Sequence, residues 1–197
     1  MNIEKINKIK AIWIDMSILL ALVIPIVSSF LIKDWSVYTN ALSDFGTRPA
    51  TAGLWPVYLT LAVFGLWSNG SNVIEQRYTG IRAYVLSYML NISCAGLFLT
   101  AIITEEFRYM HGTVAGVFFL VYMLFIFLYG LWQIKRLSFK EGVFSVTIGI
   151  LLLLTTLLMI PFTGLAMFEI AYIILIALWN WAIAKKSIMN KIVKLFT

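Results

Sequence analysis

Charge is what this sequence has least of. Of its 197 residues, 12% are Asp, Glu, Lys or Arg, about half the ~25% of an ordinary soluble domain. A chain that is 61% hydrophobic with a mean hydropathy of +0.93 has too little polar surface to cover a water-soluble core. A bilayer is the solvent its composition demands. A single cysteine, Cys94, excludes an intrachain disulfide and any paired-cysteine redox or zinc motif. There is no H-E-x-x-H, no phosphate-binding glycine loop and no repeat of solenoid period, so these routes to metal, nucleotide or array functions are closed. The length holds a handful of spanning helices with short connections and leaves no room for a separate soluble domain.

What is present is a series of long apolar runs. At roughly 20 residues per span, they predict helices at about 11–32, 53–67, 83–103, 111–134, 143–163 and 165–184. The expected fold is therefore an all-α integral membrane protein, one domain over 1–197, built as a six-transmembrane-helix bundle. The run from Ala11 to Ile32 exceeds a signal-peptide core, and no small-residue cleavage site follows it, so it reads as a retained first helix. The second run is the shortest, reaching spanning length only with Thr51 and Ser68. Between Pro161 and Gly164 the chain is expected to turn back as a hairpin, because a proline breaks the helix.

The basic residues set the expected orientation. Twelve of the 15 fall on one side of a six-span topology: Lys5, Lys8, Lys10, Arg77, Arg82, Lys135, Arg136, Lys140, Lys185, Lys186, Lys191 and Lys194. Only Lys33, Arg48 and Arg108 fall on the other. This partition predicts a cell-membrane protein with both termini cytoplasmic. It also explains most of the net charge of +6 without a nucleic-acid partner. The segments MNIEKINKIK and 185–197, KKSIMNKIVKLFT, alternate lysine with apolar residues and read as basic amphipathic ends resting on an anionic leaflet.

Five of the nine acids and the only histidine fall at the outer end, while Glu4, Asp15, Glu75 and Glu141 fall toward the inner one. Asp34, Asp44, Glu105 and Glu106 lie in outer segments, Glu169 is about one turn into helix six, and His111 opens helix four. Tyr38, Asn40, Arg48 and Arg108 complete the group. Histidine beside a carboxylate is suited to general acid–base work, and with acids it offers zinc ligands; no metal and no cofactor is assigned. Arg48 and Arg108 have the geometry to grip a phosphate. Plainer readings stand beside each of these. His111 also suits a helix cap at a wet interface. Glu105 and Glu106 read as solvated residues complementing a helix dipole. Asp15 reads as an interfacial partner of a lysine. Glu169, an ionisable group within a span, is the sharpest signal.

Elsewhere, Gly112 and Gly116 form a G-x-x-x-G step suited to close helix approach or homo-oligomer contact. Ser87, Asn91 and Cys94 recur at helical spacing and predict an inward polar stripe. Trp13, Trp35, Trp55, Trp67 and Trp132 lie near span ends, as an interfacial belt requires.

The first outer loop, NALSDFGTRPATAGLW from Asn40 to Trp55, carries Ser43, Asp44, Gly46, Thr47 and Pro49. It resembles the loop after the first helix in the Frag1/DRAM/Sfk1 membrane proteins, with Ala50 where that family often has glutamate. HGTVAGVFFLVYM and the Glu169 segment MFEIAYIILIALWNW resemble the family's fourth and last spans. A related group of uncharacterised bacterial and archaeal membrane proteins is similar in the same features. The resemblance implies a lipid-associated role and the meeting of Asp44, His111 and Glu169 on the non-cytoplasmic side.

The expectation is then a lipid-associated membrane protein whose polar pocket, lined by Ser43, Asp44, Arg48, Arg108, His111 and Glu169, faces the outer leaflet, acting as a regulator or scaffold. The alternative is a membrane-embedded lipid-modifying enzyme, a hydrolase or acyl or headgroup transferase, using His111 with Asp44 or Glu169; substrate contacts would come from Ser43, Arg48 and Arg108. A small-molecule transporter is the third reading. It requires polar groups deeper in the bundle, for which Asn91 is the obvious candidate.

Overall fold

The computed structural model describes residues 3–136, 138–161 and 166–185. Within them the chain forms six α-helices and no strand: α1 (Ile3–Leu31), α2 (Leu54–Arg77), α3 (Gly80–Ile102), α4 (Arg108–Arg136), α5 (Phe139–Met159) and α6 (Ala166–Trp179). Short 3₁₀ turns at Leu42–Gly46 and Glu105–Phe107 lie in the connections, and α6 runs on into a π-helical turn, Asn180–Lys185. Four of these helices, α3, α4, α5 and the extended α6, are long and apolar enough to cross a membrane. The tail beyond Lys185 and most of the α5–α6 turn lie outside the described residues.

The largest departure from the periodicity reading is in α2. Its apolar run ends at Trp67, yet the helix continues ten residues further, to Arg77. The stretch S-N-G-S-N has the composition of a loop, but its Asn69, Gly70 and Asn72 are buried against the bundle. Tertiary packing overrides the weak local propensity. Likewise α1 starts at Ile3 rather than Ala11, because Glu and Lys are good helix formers and carry the helix back past its apolar run.

Neighbouring helices pack in chain order, and α6 with its π turn returns to α1 and α2, closing the ring. The contacts are close where glycine permits. A Cβ on Gly142 would stand 2.5 Å from the Ile134 amide nitrogen and 2.9 Å from the Gly130 carbonyl oxygen, so α4 and α5 touch backbone to backbone. Gly112 and Gly116, the pair singled out from sequence, have no atom within 4 Å of such a Cβ; they are not where the described helices meet.

The core is aromatic. Tyr122, Phe125 and Tyr129 of α4 and Tyr172 and Trp179 of α6 are fully buried, with Trp179 edge-on to Phe125 at 5.7 Å and to Tyr129 at 5.4 Å. The Trp179 indole donates to Ser145 Oγ (3.0 Å). At the end of the bundle that carries the α2–α3 and α4–α5 connections, Arg77 pairs with Glu141 and Arg82 lies over the Trp132 ring at 5.8 Å. The expected polar stripe on α3 is corrected at one position. Cys94 is buried, but Asn91 is exposed on the outer side of the bundle, where its Oδ1 accepts from the Trp67 indole of α2 (3.0 Å).

Candidate functional site

At the opposite end, the 22 residues between α1 and α2 fold down over the helices. Local side chains shape this loop. Asn40 accepts from the Ser36 amide (2.9 Å) and donates to Asp44 Oδ2 (2.8 Å), while Thr51 Oγ1 donates to the Phe45 carbonyl (2.8 Å). Phe45, 1% exposed, is the plug, its ring 4.8 Å from Trp35 and 6.4 Å from Trp55. Burial of three aromatic rings over the helix ends supplies the apolar drive for the fold of the loop.

The loop is tied to the first turn of α6. Helix N-termini carry unsatisfied amides; here the Ala166 amide donates to the Asn40 carbonyl (2.6 Å) and the Met167 amide to the Val37 carbonyl (3.2 Å). One turn on, Glu169 Oε2 accepts from the Leu42 amide (2.6 Å). Glu169 thus holds the loop through its backbone, with no arginine or histidine bonded to it among the described residues. The connection before α4 joins in as well, since Ser43 Oγ donates to Glu105 Oε2 (3.2 Å).

Each residue singled out from sequence has a definite place. Ser43 is buried and Asp44 half-buried; Asp44 is engaged within the loop by Asn40 and Ser43 reaches across to Glu105. Asp44, Glu105 and Glu169 lie within electrostatic range of one another, although no three His, Cys, Asp or Glu among the described residues are grouped to hold a metal ion. Glu105 is corrected from a solvated residue to a half-buried one facing Ser43 and Asp44. Burial, and after it the adjacent Asp44 carboxyl, holds the Glu105 carboxyl above the usual carboxylate range. His111 is 7% exposed, and its Nδ1 meets the Ile103 carbonyl at 2.5 Å. That carbonyl requires a proton on Nδ1, which leaves Nε2 as the basic nitrogen. Arg48 and Arg108 are exposed at the rim, outside the residues that line the cavity below.

Beneath the loop lies a cavity, the lumen, between the helices. It measures about 100 Å³. Leu42, Ser43, His111 and Glu169 form its mouth, Tyr58, Leu97 and Phe118 are among its walls, and Ser17, Asn69 and Asn180 lie at its far end. Tyr58 to Asn69 on α2 and Glu169 to Asn180 on the last helix are each eleven positions apart. At 1.5 Å per residue, the residues of its mouth and those of its far end are about 16 Å apart along the helices. A second, apolar cleft of about 420 Å³ opens between α1 and α6 and shares Ile173 with the lumen.

Sequence reasoning did not find the floor of this cavity. Asn69 was hidden in a stretch with loop composition. Asn180, an amide inside the apolar run A-L-W-N-W-A, was the available signal, since polar side chains in such runs turn toward the bundle. Trp55, one of the tryptophans near a span end, is turned into the protein, 6% exposed. No family model, curated protein or solved structure matches this chain, and its functional reading rests on the geometry of the loop and lumen.

Proposed function

We propose that this chain is a six-span membrane protein with both termini in the cytoplasm, and that it holds a lipid-like amphiphile in its lumen as a lipid-binding regulator or scaffold. The observation that carries this reading is the lumen: apolar walls, a polar mouth under a latched loop, and a cleft to the α1–α6 surface at Ile173. A cavity of this volume suits one alkyl chain, and the apolar cleft on the other side of Ile173 is the side from which it would come from surrounding lipid. The S-D-x-G-T loop that resembles the Frag1/DRAM/Sfk1 proteins is the segment that covers the mouth, which fits a shared lipid-associated role. The test is to extract the protein from membranes into a detergent-free polymer disc and compare its bound lipids with those of Ala62→Phe, which fills the lumen wall. Enrichment of a single-chain species over the bulk membrane, lost in the variant, supports the proposal; bulk composition in both sinks it.

One observation favours an enzyme as the second reading. His111 and Glu169 line the same cavity mouth, and the Ile103 carbonyl fixes the imidazole with Nε2 free to take a proton. In that reading His111 is the base for a water or lipid hydroxyl. His111→Gln would then abolish turnover of an ester-bearing amphiphile while retaining its binding.

A further inference from the structure

The far end of the lumen carries an unmatched hydrogen-bonding pair. Asn69, 2% exposed, and Asn180, 1% exposed, both line the cavity. Asn69 Nδ2 has no acceptor and Asn180 Oδ1 no donor among the described residues. The orientation of Asn180 is settled by its own neighbours, because its Nδ2 donates to Tyr122 Oη (3.1 Å) and the Ile176 carbonyl (2.9 Å). Its Oδ1 therefore remains an acceptor directed elsewhere. The segment that carries Asn180 is a π turn packed against α2, a geometry found mostly as single turns at functional sites.

The buried donor and the buried acceptor do not bond each other. Leaving both unmet is costly, and the group that satisfies them must itself accept from Asn69 and donate to Asn180. A hydroxyl or a primary carboxamide does both; a hydrocarbon end does neither. A charged end is disfavoured, since no ionised side chain lines the floor to balance it. The walls above are mostly apolar, and mouth and floor are about 16 Å apart along the helices, matching a medium-length alkyl chain. We infer that the Asn69–Asn180 floor is a binding site for the neutral hydroxyl or carboxamide end of a single-chain amphiphile lying along the lumen.

This inference rests on the lumen being a ligand site, and the test separates the two. The full chain in lipid nanodiscs is exposed to photoactivatable dodecanol, dodecanamide and dodecane of matched diazirine position, and the labelled peptides are mapped by mass spectrometry. Dodecanol and dodecanamide are expected to label the lumen-facing positions of α2 and α6 about tenfold more than dodecane, the ratio for about one recovered hydrogen bond. Asn69→Leu is expected to erase that preference while leaving dodecane labelling unchanged. Equal labelling of the lumen by all three probes overturns the inference, water then meeting the two amides, but leaves the lumen reading standing. Labelling confined to the outer helix surfaces overturns both. Because the preference is read first on the unaltered protein, the result stands even if Asn69→Leu does not fold.

Discussion

Glu169 meets the backbone amide of Leu42 and not a cationic side chain. The consequence is mechanical: one carboxylate in α6 holds the loop that covers the lumen. Glu169→Leu leaves the buried Leu42 amide without its acceptor, a loss of about 1–3 kcal/mol, so the midpoint of thermal unfolding in detergent should fall and the loop should become the first site of proteolysis. Glu169→Gln keeps an acceptor and should lose less than half as much. Equal effects of the two would mean the carboxylate acts by charge and not by holding Leu42. Glu105 makes the pH prediction at this scale. Its folded-state pKa is raised, so its ionised form is weaker in the folded chain than in the unfolded one. Stability from this group is complete below the ordinary carboxylate range and is lost as pH rises through the raised value. Glu105→Gln removes that loss. The variant should gain on the wild type in unfolding midpoint as pH goes from about 4 to about 8, and a constant difference would refute the assignment.

At the scale of elements, α4 and α5 form the tightest pair because glycine replaces a side chain at the point of contact. Gly142→Ala pushes a methyl group against the Ile134 backbone, and overpacking of this kind costs about 1–3 kcal/mol. Gly112→Ala meets open space and should stay within about 0.5 kcal/mol of wild type. The two variants, compared by thermal unfolding, separate a true helix contact from a matching motif. If Gly112 and Gly116 serve association between copies, Gly112→Ile should reduce crosslinked dimer in membranes with no change in unfolding midpoint. The end of α2 shows the same dependence on packing: the apolar run stops at Trp67, but polar residues beyond it, Asn69 and Asn72, are buried toward the other helices and carry the helix on to Arg77.

For the whole molecule, the proposed topology is tested with single cysteines. With the buried Cys94 replaced by alanine, Lys33→Cys should react with a membrane-impermeant maleimide on intact cells, whereas Thr79→Cys and Lys140→Cys should react only after permeabilisation. All three wild-type side chains are exposed, so burial does not confound the comparison. Labelling of Lys33 and Lys140 from the same side would remove the six-span arrangement.

Composition and hydropathy were enough for an all-helical architecture with helices fit for a bilayer, since those properties add up along the chain and need no partner. The concentration of Asp44, Glu105, His111 and Glu169 at one end was likewise readable from their positions relative to the apolar runs. Pairing was not. That Glu169 takes the Leu42 amide, that His111 takes the Ile103 carbonyl, that Asn91 faces outward, and that Asn69 and Asn180 share one floor all depend on helix rotation and on which helices touch. Those are settled by contacts between residues as much as 127 positions apart. Apolar runs constrain rotation weakly when every face of a helix is hydrophobic, so only close packing, glycine against backbone and ring against ring, decides which polar groups turn inward.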